Sequence, residues 1–420
     1  MKPLGTLVVV GCRMQAYREY ALTSLAREYS VVLLSGEPVT WQQPYLASSR
    51  VVETTDPEAL LPVVTDLVEA GATGILTWDE WSLAATAQVA WALRLPHLSP
   101  SAARLCRDKS AMRAALAKAG VSTVAHRLVG TAAEARAAAE EIGFPVVLKP
   151  RSLGGSLGVQ VVRDAAAVSA AFAVASTAGV PGLDTGDGVL LEEYLTGPEI
   201  SVDSVVAEGR TSCVVLARKR LGFDPHCEEV GHLVVPWRSE PRAAEIVQLV
   251  EAVHRVAGVE SGATHAEFRL TPRGPRLVEL NGRLGGDLIP YLGALATGVD
   301  LPLAAAAVAC GRRPDVTPRW SRYAEIRFLY PPHDGTVAAL ELEGAATVPS
   351  ITEVIPLARP GDRLRLPPGD LTPRVAAVVA VADGEPACQQ ALNRAEERIR
   401  VVMRHGAGPD QGRTPQGTAE

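Results

Sequence analysis

Apolar and polar positions in the first hundred residues form two kinds of segment. Short apolar runs have the length of buried strands and lie at 4–11, 31–35 and 74–78. Longer segments of mixed polarity have the length of helices and lie at 16–28, 58–70 and 81–94. Strands that alternate with helices are typical of a doubly wound α/β domain, which we predict over residues 1–105. No Gly-x-Gly-x-x-Gly follows the first strand, so the sequence does not support a dinucleotide site there.

The pattern changes near residue 100 and predicts a second domain over 106–310, with a flap subdomain over 106–188. Asp108 is placed to cap a helix over about 109–119. Further helices are predicted at 131–142, 241–257 and 291–310. Alternating segments predict strands at 145–150, 189–195, 199–209 and 213–220, and a hairpin over 265–281.

The last hundred residues are rich in strand patterns. We predict a separate, compact α+β cap over 311–403 that ends in a helix over 385–402. Residues 404–420 are polar and rich in Gly and Pro, which predicts a disordered tail.

Composition excludes several classes of protein. The 420 residues are 47% hydrophobic, which is enough for more than one core. A net charge of −6 without charged blocks argues against nucleic acid and anionic membrane as partners. Six scattered cysteines without a CxxC pair indicate neither a zinc site nor a disulfide framework. Since neither a signal peptide nor a membrane-spanning run is recognisable, we expect a cytoplasmic protein.

The predicted hairpin over 265–281 carries the clearest candidate chemistry. Residues two apart share one face of a strand, so Glu279 and Asn281 point the same way, and the turn brings Glu267 beside them. Two carboxylates and one amide oxygen form a set of hard ligands that suits Mg²⁺ better than Zn²⁺. Arg283 follows at once, where an anion would be bound. The alternative is a surface hairpin with solvated charges.

Two further segments predict contacts with a nucleotide. Lys149 ends an apolar strand and is followed by a loop with three glycines, including Gly155, and with Ser156. Such a loop lets backbone amides approach phosphates, although it is not a Walker A sequence. Between Glu192 and Glu199 an extended hinge can meet an adenine edge. A plain flexible turn and a solvated acidic turn are the respective alternatives.

In their order along the chain, Lys109, Lys149 with its glycine loop, the hinge and the acidic hairpin resemble the ATP-grasp superfamily over roughly 101–310. The resemblance implies that ATP and Mg²⁺, or Mn²⁺ in its place, are cofactors. Nucleotide contacts would come from Lys109, Lys149, Gly155, Ser156, Glu192, Glu193, Leu195 and Glu199. Glu267, Glu279 and Asn281 would hold the metal, and Arg283 would stabilise an acyl-phosphate and its tetrahedral successor.

Within the superfamily, the segments at 227–236 and 263–270 are most similar to the bacterial L-amino-acid ligases. This resemblance places Glu229 and His232, on a loop after the strand at 213–220, at the substrate site. It implies an ATP-dependent carboxylate–amine ligase that acts on small molecules such as amino acids, and it suggests a homodimer. The chain departs from one of those ligases in the sequence after Glu279, which leaves the substrate open. The alternatives are an amino acid–carrier-protein ligase, a carboxylase similar to biotin carboxylase, and a non-catalytic nucleotide-binding protein.

Overall fold

The computed structural model describes residues 3–179, 186–224, 226–370 and 372–405. Its N-terminal part is the predicted doubly wound domain, a parallel sheet in the order β3-β2-β1-β4. Apolar side chains of α1 and of α10 (Leu301–Ala309) cover one face of this sheet, and those of α2 and α3 cover the other. The elements are β1 (Thr6–Val10), α1 (Gln15–Glu28), β2 (Ser30–Ser35), β3 (Ser48–Val51), α2 (Pro57–Glu69), β4 (Ala72–Thr77) and α3 (Leu83–Ala92).

Two helices and a small antiparallel sheet follow. Asp108 caps α5 as predicted, because its Oδ1 accepts a hydrogen bond from the amide of Ala111 at 3.0 Å. The sheet has the order β5-β8-β6-β7 and packs against α6 and α7. The elements are α4 (Pro100–Arg107), α5 (Lys109–Lys118), β5 (His126–Val129), α6 (Ala132–Ile142), β6 (Val146–Pro150), β7 (Gln160–Val162), α7 (Val168–Thr177) and β8 (Val189–Glu193).

The largest sheet has eight strands in the order β13-β12-β9-β10-β11-β14-β18-β16. Its first five strands come from the predicted second domain. They include the acidic hairpin, in which Glu267 pairs directly with Glu279. The elements of this part are β9 (Glu199–Ala207), β10 (Arg210–Gly222), β11 (Glu228–Val234), α8 (Ala243–Ala257), β12 (Gly262–Thr271), β13 (Gly274–Asn281), α9 (Ile289–Thr297) and α10 (Leu301–Ala309).

The single helix predicted over 291–310 is wrong, because two helices bent by 106° occupy this segment. Gly298 ends α9 in the left-handed conformation, at a φ of 78°, and Asp300 then caps α10. No single helix in the described ranges is long and apolar enough to cross a membrane. The bent pair α9–α10 meets that test only when its two helices are taken together.

The C-terminal part is not the separate piece that the sequence predicted. Its strands β14, β18 and β16 extend the large sheet, since β14 pairs with β11. The predicted helix over 385–402 ends early, and the residues after it form β19 in a small sheet of order β17-β15-β19. The elements are β14 (Tyr323–Leu329), β15 (Gly335–Glu341), α11 (Glu343–Ala346), β16 (Ile351–Pro356), β17 (Arg363–Leu364), β18 (Ala376–Ala382), α12 (Glu385–Glu396) and β19 (Arg400–Arg404). The predicted tail falls almost entirely on 406–420, outside the described residues.

Candidate active site

A cleft lies between the small antiparallel sheet and the first strands of the large sheet, with about 850 Å³ of space that is partly open to solvent. Every residue that the sequence predicts to contact a nucleotide lines it. These are Lys109, Lys149, Gly155, Ser156, Glu192, Glu193, Leu195 and Glu199. Apolar side chains from both sheets complete the walls, among them Val147, Val161 and Val278. The cleft therefore offers apolar walls beside charged groups, as a base with attached phosphates requires.

Glu192 is the centre of a buried charge cluster in this cleft. Its Oε2 lies 2.7 Å from Lys149 Nζ, and both its oxygens accept hydrogen bonds from Arg113. Burial alone would raise the pKa of Glu192, but Arg113 and Lys149 outweigh it and lower the pKa to about 2. Burial also lowers the pKa of Lys149, which Glu192 offsets in part. The side chain of Glu192 is thus committed to the protein, and its backbone lies in the ladder of β8 with β5 and β6.

The glycine-rich loop is held over the cleft by contacts at both its ends. Lys109 Nζ donates to the carbonyl of Leu153 at 2.5 Å. Ser156 Oγ donates to the carbonyl of Cys227 at 3.2 Å, across the cleft on the turn that precedes β11. Ser156 has a φ of 55°, in the left-handed region, so the loop is sharply turned at this point. The loop therefore covers the cleft as the predicted flap would.

Of the predicted metal ligands, Glu267 and Glu279 line the cleft and are paired with cations, whereas Asn281 lies next to Glu279 and is not among the lining residues. Glu267 Oε2 is 2.9 Å from Lys219 Nζ, and Glu279 Oε1 is 3.1 Å from Lys109 Nζ. In the amide orientation that its neighbours favour, Asn281 donates to Glu279 at 3.0 Å, so its nitrogen faces this carboxylate. Two adjacent carboxylates that attract lysines suit a divalent cation, and the opposite amide orientation would present the oxygen of Asn281.

Lys219 is a functional candidate that sequence reasoning missed. Its ammonium lies 2.7 Å from Glu229, 2.9 Å from Glu267 and 3.1 Å from Glu199. Burial disfavours the charge, but the three carboxylates outweigh it, so the pKa of Lys219 is raised well above its usual value. It is a permanent cation that joins residues of the hinge, of β11 and of the acidic hairpin.

A second cavity opens beside the cleft and shares part of its wall. Both are lined by Gly155, Ser156, Glu229 and Glu267. Beyond this shared wall the second cavity is lined by charged side chains of both signs, including Glu228, Arg283, Asp287 and Arg374. Its position next to the metal-ligand candidates suits a polar small molecule that reacts with a group bound in the cleft.

Glu229 and His232 lie on β11, not on the predicted loop. The segment Glu228–Val234 pairs with β10, with a register shift between Glu229 and Gly231, and Lys219 lies opposite His232. His232 is fully buried behind Glu229 and lines neither cavity. Its Nε2 is 3.2 Å from Glu229 Oε2 and 3.2 Å from Asp287 Oδ2, and these carboxylates outweigh burial to raise the pKa of His232.

Arg283 lines the second cavity and is oriented by the N-terminal domain. Its Nε donates to Glu80 Oε2 at 2.5 Å. Burial would raise the pKa of Glu80, but Arg283 and Arg107 outweigh it and lower the pKa to about 2. Glu80 was missed although it follows β4, and the carboxyl ends of parallel strands are where α/β sheets bind ligands.

Arg374 was missed as well, and no local pattern marks it. It lies in the C-terminal part and reaches Asp287, whose two oxygens accept its Nη1 and Nη2 at 2.8 Å each. The partners are 87 residues apart. Asp287 stands in the sequence LGGD after the acidic hairpin, close to Arg283, and this position could have identified it as a candidate site residue.

The sequence matches two family models and is similar to several known proteins. A family model described as an ATP-grasp domain matches residues 142–291, and one described as L-amino acid ligase C-terminal domain 2 matches 327–404. An uncharacterized protein, y4rH of Sinorhizobium fredii, is 31% identical over 88% of this chain and 77% of its own length. Alanine–anticapsin ligase of Bacillus subtilis is 30% identical over 53% of this chain, and the match spans about half of that enzyme, 51%.

The fold has a close solved counterpart. The crystal structure of an L-amino acid ligase from Bacillus licheniformis superposes with a TM-score of 0.81 and 21% identity, and covers 96% of this chain and 100% of that one. A likeness at this identity establishes the architecture alone. The two matching family models show that the chain carries an ATP-grasp domain over 142–291 and the C-terminal domain 2 of the L-amino acid ligases over 327–404.

Proposed function

We propose that this protein is an ATP-dependent carboxylate–amine ligase that joins amino acids or similar small molecules. The observation that supports this most strongly is the wall shared by the nucleotide cleft and the second cavity, formed by Gly155, Ser156, Glu229 and Glu267. A substrate carboxylate bound in the second cavity would lie next to the end of the cleft where phosphates would be held. The matches to ligases of amino acids support the same class of substrate.

The first step is transfer of the γ-phosphoryl group of ATP to the substrate carboxylate, which gives ADP and an acyl-phosphate. Such a transfer depends on charge neutralisation and alignment more than on covalent chemistry by the protein. Lys109 and Lys149 would neutralise phosphate charge from the flap side. Mg²⁺, held by Glu267, Glu279 and Asn281, would supply further neutralisation when it is bound.

The second step is attack of the amine nitrogen on the acyl carbon. The bond from this carbon to the bridging oxygen then breaks, the departing phosphate takes up the amine proton, and an amide bond remains. Arg283 donates two hydrogen bonds to protein acceptors among the described residues, to Glu80 and to the carbonyl of Leu284. Its remaining N–H groups would stabilise the oxyanion in the second cavity. The covering flap would keep water from the acyl-phosphate.

Glu229 is better suited to binding an ammonium than to removing its proton. Burial would raise the pKa of Glu229, but Lys219 and His232 outweigh it and lower the pKa. The imidazole is equally unsuited to act as a base, because its Nε2 is engaged by two carboxylates and its pKa is raised. We therefore assign the pair to recognition of the amine substrate, with Glu229 at the cavity wall and His232 behind it.

We also place the protein in the cytoplasm, where ATP and free amino acids are available. Cys12, Cys106, Cys213, Cys310 and Cys388 are free thiols, in keeping with a reducing compartment. A homodimer and the domain boundaries at 105 and 310 remain predictions, which light scattering and limited proteolysis would test.

The test is a matrix of L-amino-acid pairs incubated with the purified chain, ATP and Mg²⁺. We expect ADP and phosphate to be released for particular pairs, with a product mass equal to the sum of the pair minus water. ADP release that requires bicarbonate would indicate a carboxylase instead. ADP release that requires a carrier protein would indicate a carrier-protein ligase. ATP binding without turnover under every condition would contradict the ligase assignment.

A further inference from the structure

Arg374 differs from the other arginine of the second cavity because its hydrogen-bonding capacity is fully used by the protein. Its Nη1 and Nη2 donate to the two oxygens of Asp287 at 2.8 Å each. Nη1 also donates to Tyr17 Oη at 3.3 Å, and Nη2 donates to the carbonyl of Glu229 at 2.9 Å. Nε donates to Tyr330 Oη at 3.3 Å. A guanidinium has five N–H groups, and all five have acceptors here.

The guanidinium is also fixed by packing. It lies over the ring of Phe328, with Cζ 3.6 Å from the ring centroid, and the side chain is 3% exposed. A cation that is stacked, buried and fully bonded has no donor left for a substrate carboxylate. Arg283, which makes fewer bonds to protein acceptors, is the arginine that is free to meet the reacting group.

What Arg374 holds in place is Asp287, whose side chain keeps 21% of its surface exposed in the second cavity. The backbone of Asp287 has a φ of 50°, a left-handed conformation that few residues other than Gly adopt. Its carboxylate has about four acceptor sites, of which Arg374 takes two and His232 one. One acceptor site on Oδ1 therefore remains for a donor in the cavity.

Glu229 offers a similar free site. Its Oε1 accepts from Lys219 and its Oε2 from His232, and its side chain is 22% exposed. The Nε2 of His232 lies 3.2 Å from both carboxylates, so Asp287 and Glu229 are fixed a short distance apart. The three groups are close enough to hold a metal ion. The salt bridges of Asp287 with Arg374 and of Glu229 with Lys219 already explain why the two carboxylates lie close together. Both carboxylates still have acceptor sites for an ammonium.

We infer that Arg374 is a positioning residue that fixes the Asp287 carboxylate at the wall of the second cavity, where Asp287 and Glu229 together receive the ammonium of the amine substrate. The inference rests on the proposed ligase function. It makes the C-terminal part of the chain a contributor to amine recognition, through a contact with Asp287 and not with the substrate itself.

The experiment compares two reactions of the same acyl-phosphate, with the twenty L-amino acids as substrates. In the first, an amino acid is the nucleophile and the product is an amide. In the second, hydroxylamine is the nucleophile and the product is a hydroxamate. Hydroxylamine is small and uncharged at neutral pH, so it does not need an ammonium site. The ratio of amide to hydroxamate therefore reports on amine recognition alone.

We expect Asp287→Asn and Arg374→Met each to lower this ratio at least tenfold, and the double variant to lower it no further than Asp287→Asn alone. Arg365 is the matched control, since its Nε and Nη2 both donate to Asp370 Oδ1 on the exposed surface of the same part of the chain. Arg365→Met should leave the ratio within twofold of the unsubstituted protein. If Arg374→Met does not fold, Arg374→Lys replaces it in the comparison with Asp287→Asn. Lysine keeps the positive charge but cannot donate to both oxygens of Asp287 as arginine does.

Equal losses of amide and hydroxamate in the variants would overturn the inference, because they would indicate a general structural role. A double variant whose ratio falls by the product of the single effects would overturn it as well, since Arg374 would then act independently of Asp287. If the unsubstituted protein forms neither product, the proposed function itself fails, which is a separate outcome.

Discussion

Replacing Lys149 with Met separates the stabilising and the nucleotide-binding roles of one buried cation. Lys149 Nζ lies 2.7 Å from Glu192 Oε2, and the side chain is 7% exposed at the foot of the flap. Removing one partner of a buried ion pair costs roughly 3–5 kcal/mol when it leaves the other charge unpaired. Here Arg113 still contacts both oxygens of Glu192. We therefore expect Lys149→Met to lower the free energy of unfolding by less than about 3 kcal/mol.

Lys149→Met should weaken the binding of ATP by more than its lower stability alone would cause. A hydrogen bond to a charged group contributes roughly 1.5–3 kcal/mol. Loss of one ammonium–phosphate contact should therefore weaken binding of ATP about 10- to 150-fold, since about 1.4 kcal/mol corresponds to a factor of ten. Hydrolysis-resistant ATP with Mg²⁺, titrated by calorimetry, would measure this on folded protein.

Lys118, exposed in the last turn of α5, provides the control. Lys118→Met should change neither stability nor nucleotide affinity. Thermal unfolding of both variants measures the change in stability independently of the change in nucleotide affinity. If Lys149→Met unfolds more easily but binds the nucleotide with unchanged affinity, Lys149 serves Glu192 alone, and the assignment of this lysine to the phosphates is refuted.

Three further changes test other parts of the site and fold. Glu279→Gln should abolish turnover and raise the Mg²⁺ concentration needed for any residual activity, whereas normal activity at ordinary Mg²⁺ would contradict its role as a ligand. Glu229→Ala should raise the KM of the amine substrate with little change in the KM of ATP, and steady-state kinetics showing the opposite would assign this residue to the nucleotide. Burial lowers the pKa of His254 to about 4, below its value near 6.5 in an unfolded chain, so its contribution to stability is complete above about pH 6.5 and is lost as pH falls towards 4. That contribution is about 3 kcal/mol. The free energy of unfolding of His254→Gln, measured by chemical denaturation between about pH 4 and 7, should therefore depend less on pH. An unchanged slope would mean that the imidazole is not the source of the pH dependence.

The parts of the site that were predictable are those encoded within one or two adjacent elements. The acidic hairpin is an example, because alternation and a tight turn fix which side chains of β12 and β13 share a face. The flap is another, since a lysine at a strand end and a glycine-rich loop are contiguous in sequence. Such features follow from local geometry and need no knowledge of the tertiary fold.

The parts that were missed depend on contacts between distant segments. Lys219 is one polar residue in a strand, and its importance arises because three other strands or their ends bring carboxylates to it. Glu80 lies 203 residues from Arg283. The break between α9 and α10 was also missed, although Gly298 and Asp300 are ordinary helix-ending and helix-starting residues, because the apolar pattern continues across them.

Acyl-phosphate formation is the central claim, and isotope transfer tests it most directly. The purified chain is incubated with ATP, Mg²⁺ and L-amino acids that carry ¹⁸O in their carboxylate groups, and the released phosphate is analysed by mass. If the carboxylate attacks the γ-phosphorus and the acyl-phosphate is then attacked at carbon by an amine, one ¹⁸O atom moves from substrate to phosphate for each amide formed. Unlabelled phosphate released together with amide, or AMP in place of ADP, would contradict the proposed mechanism.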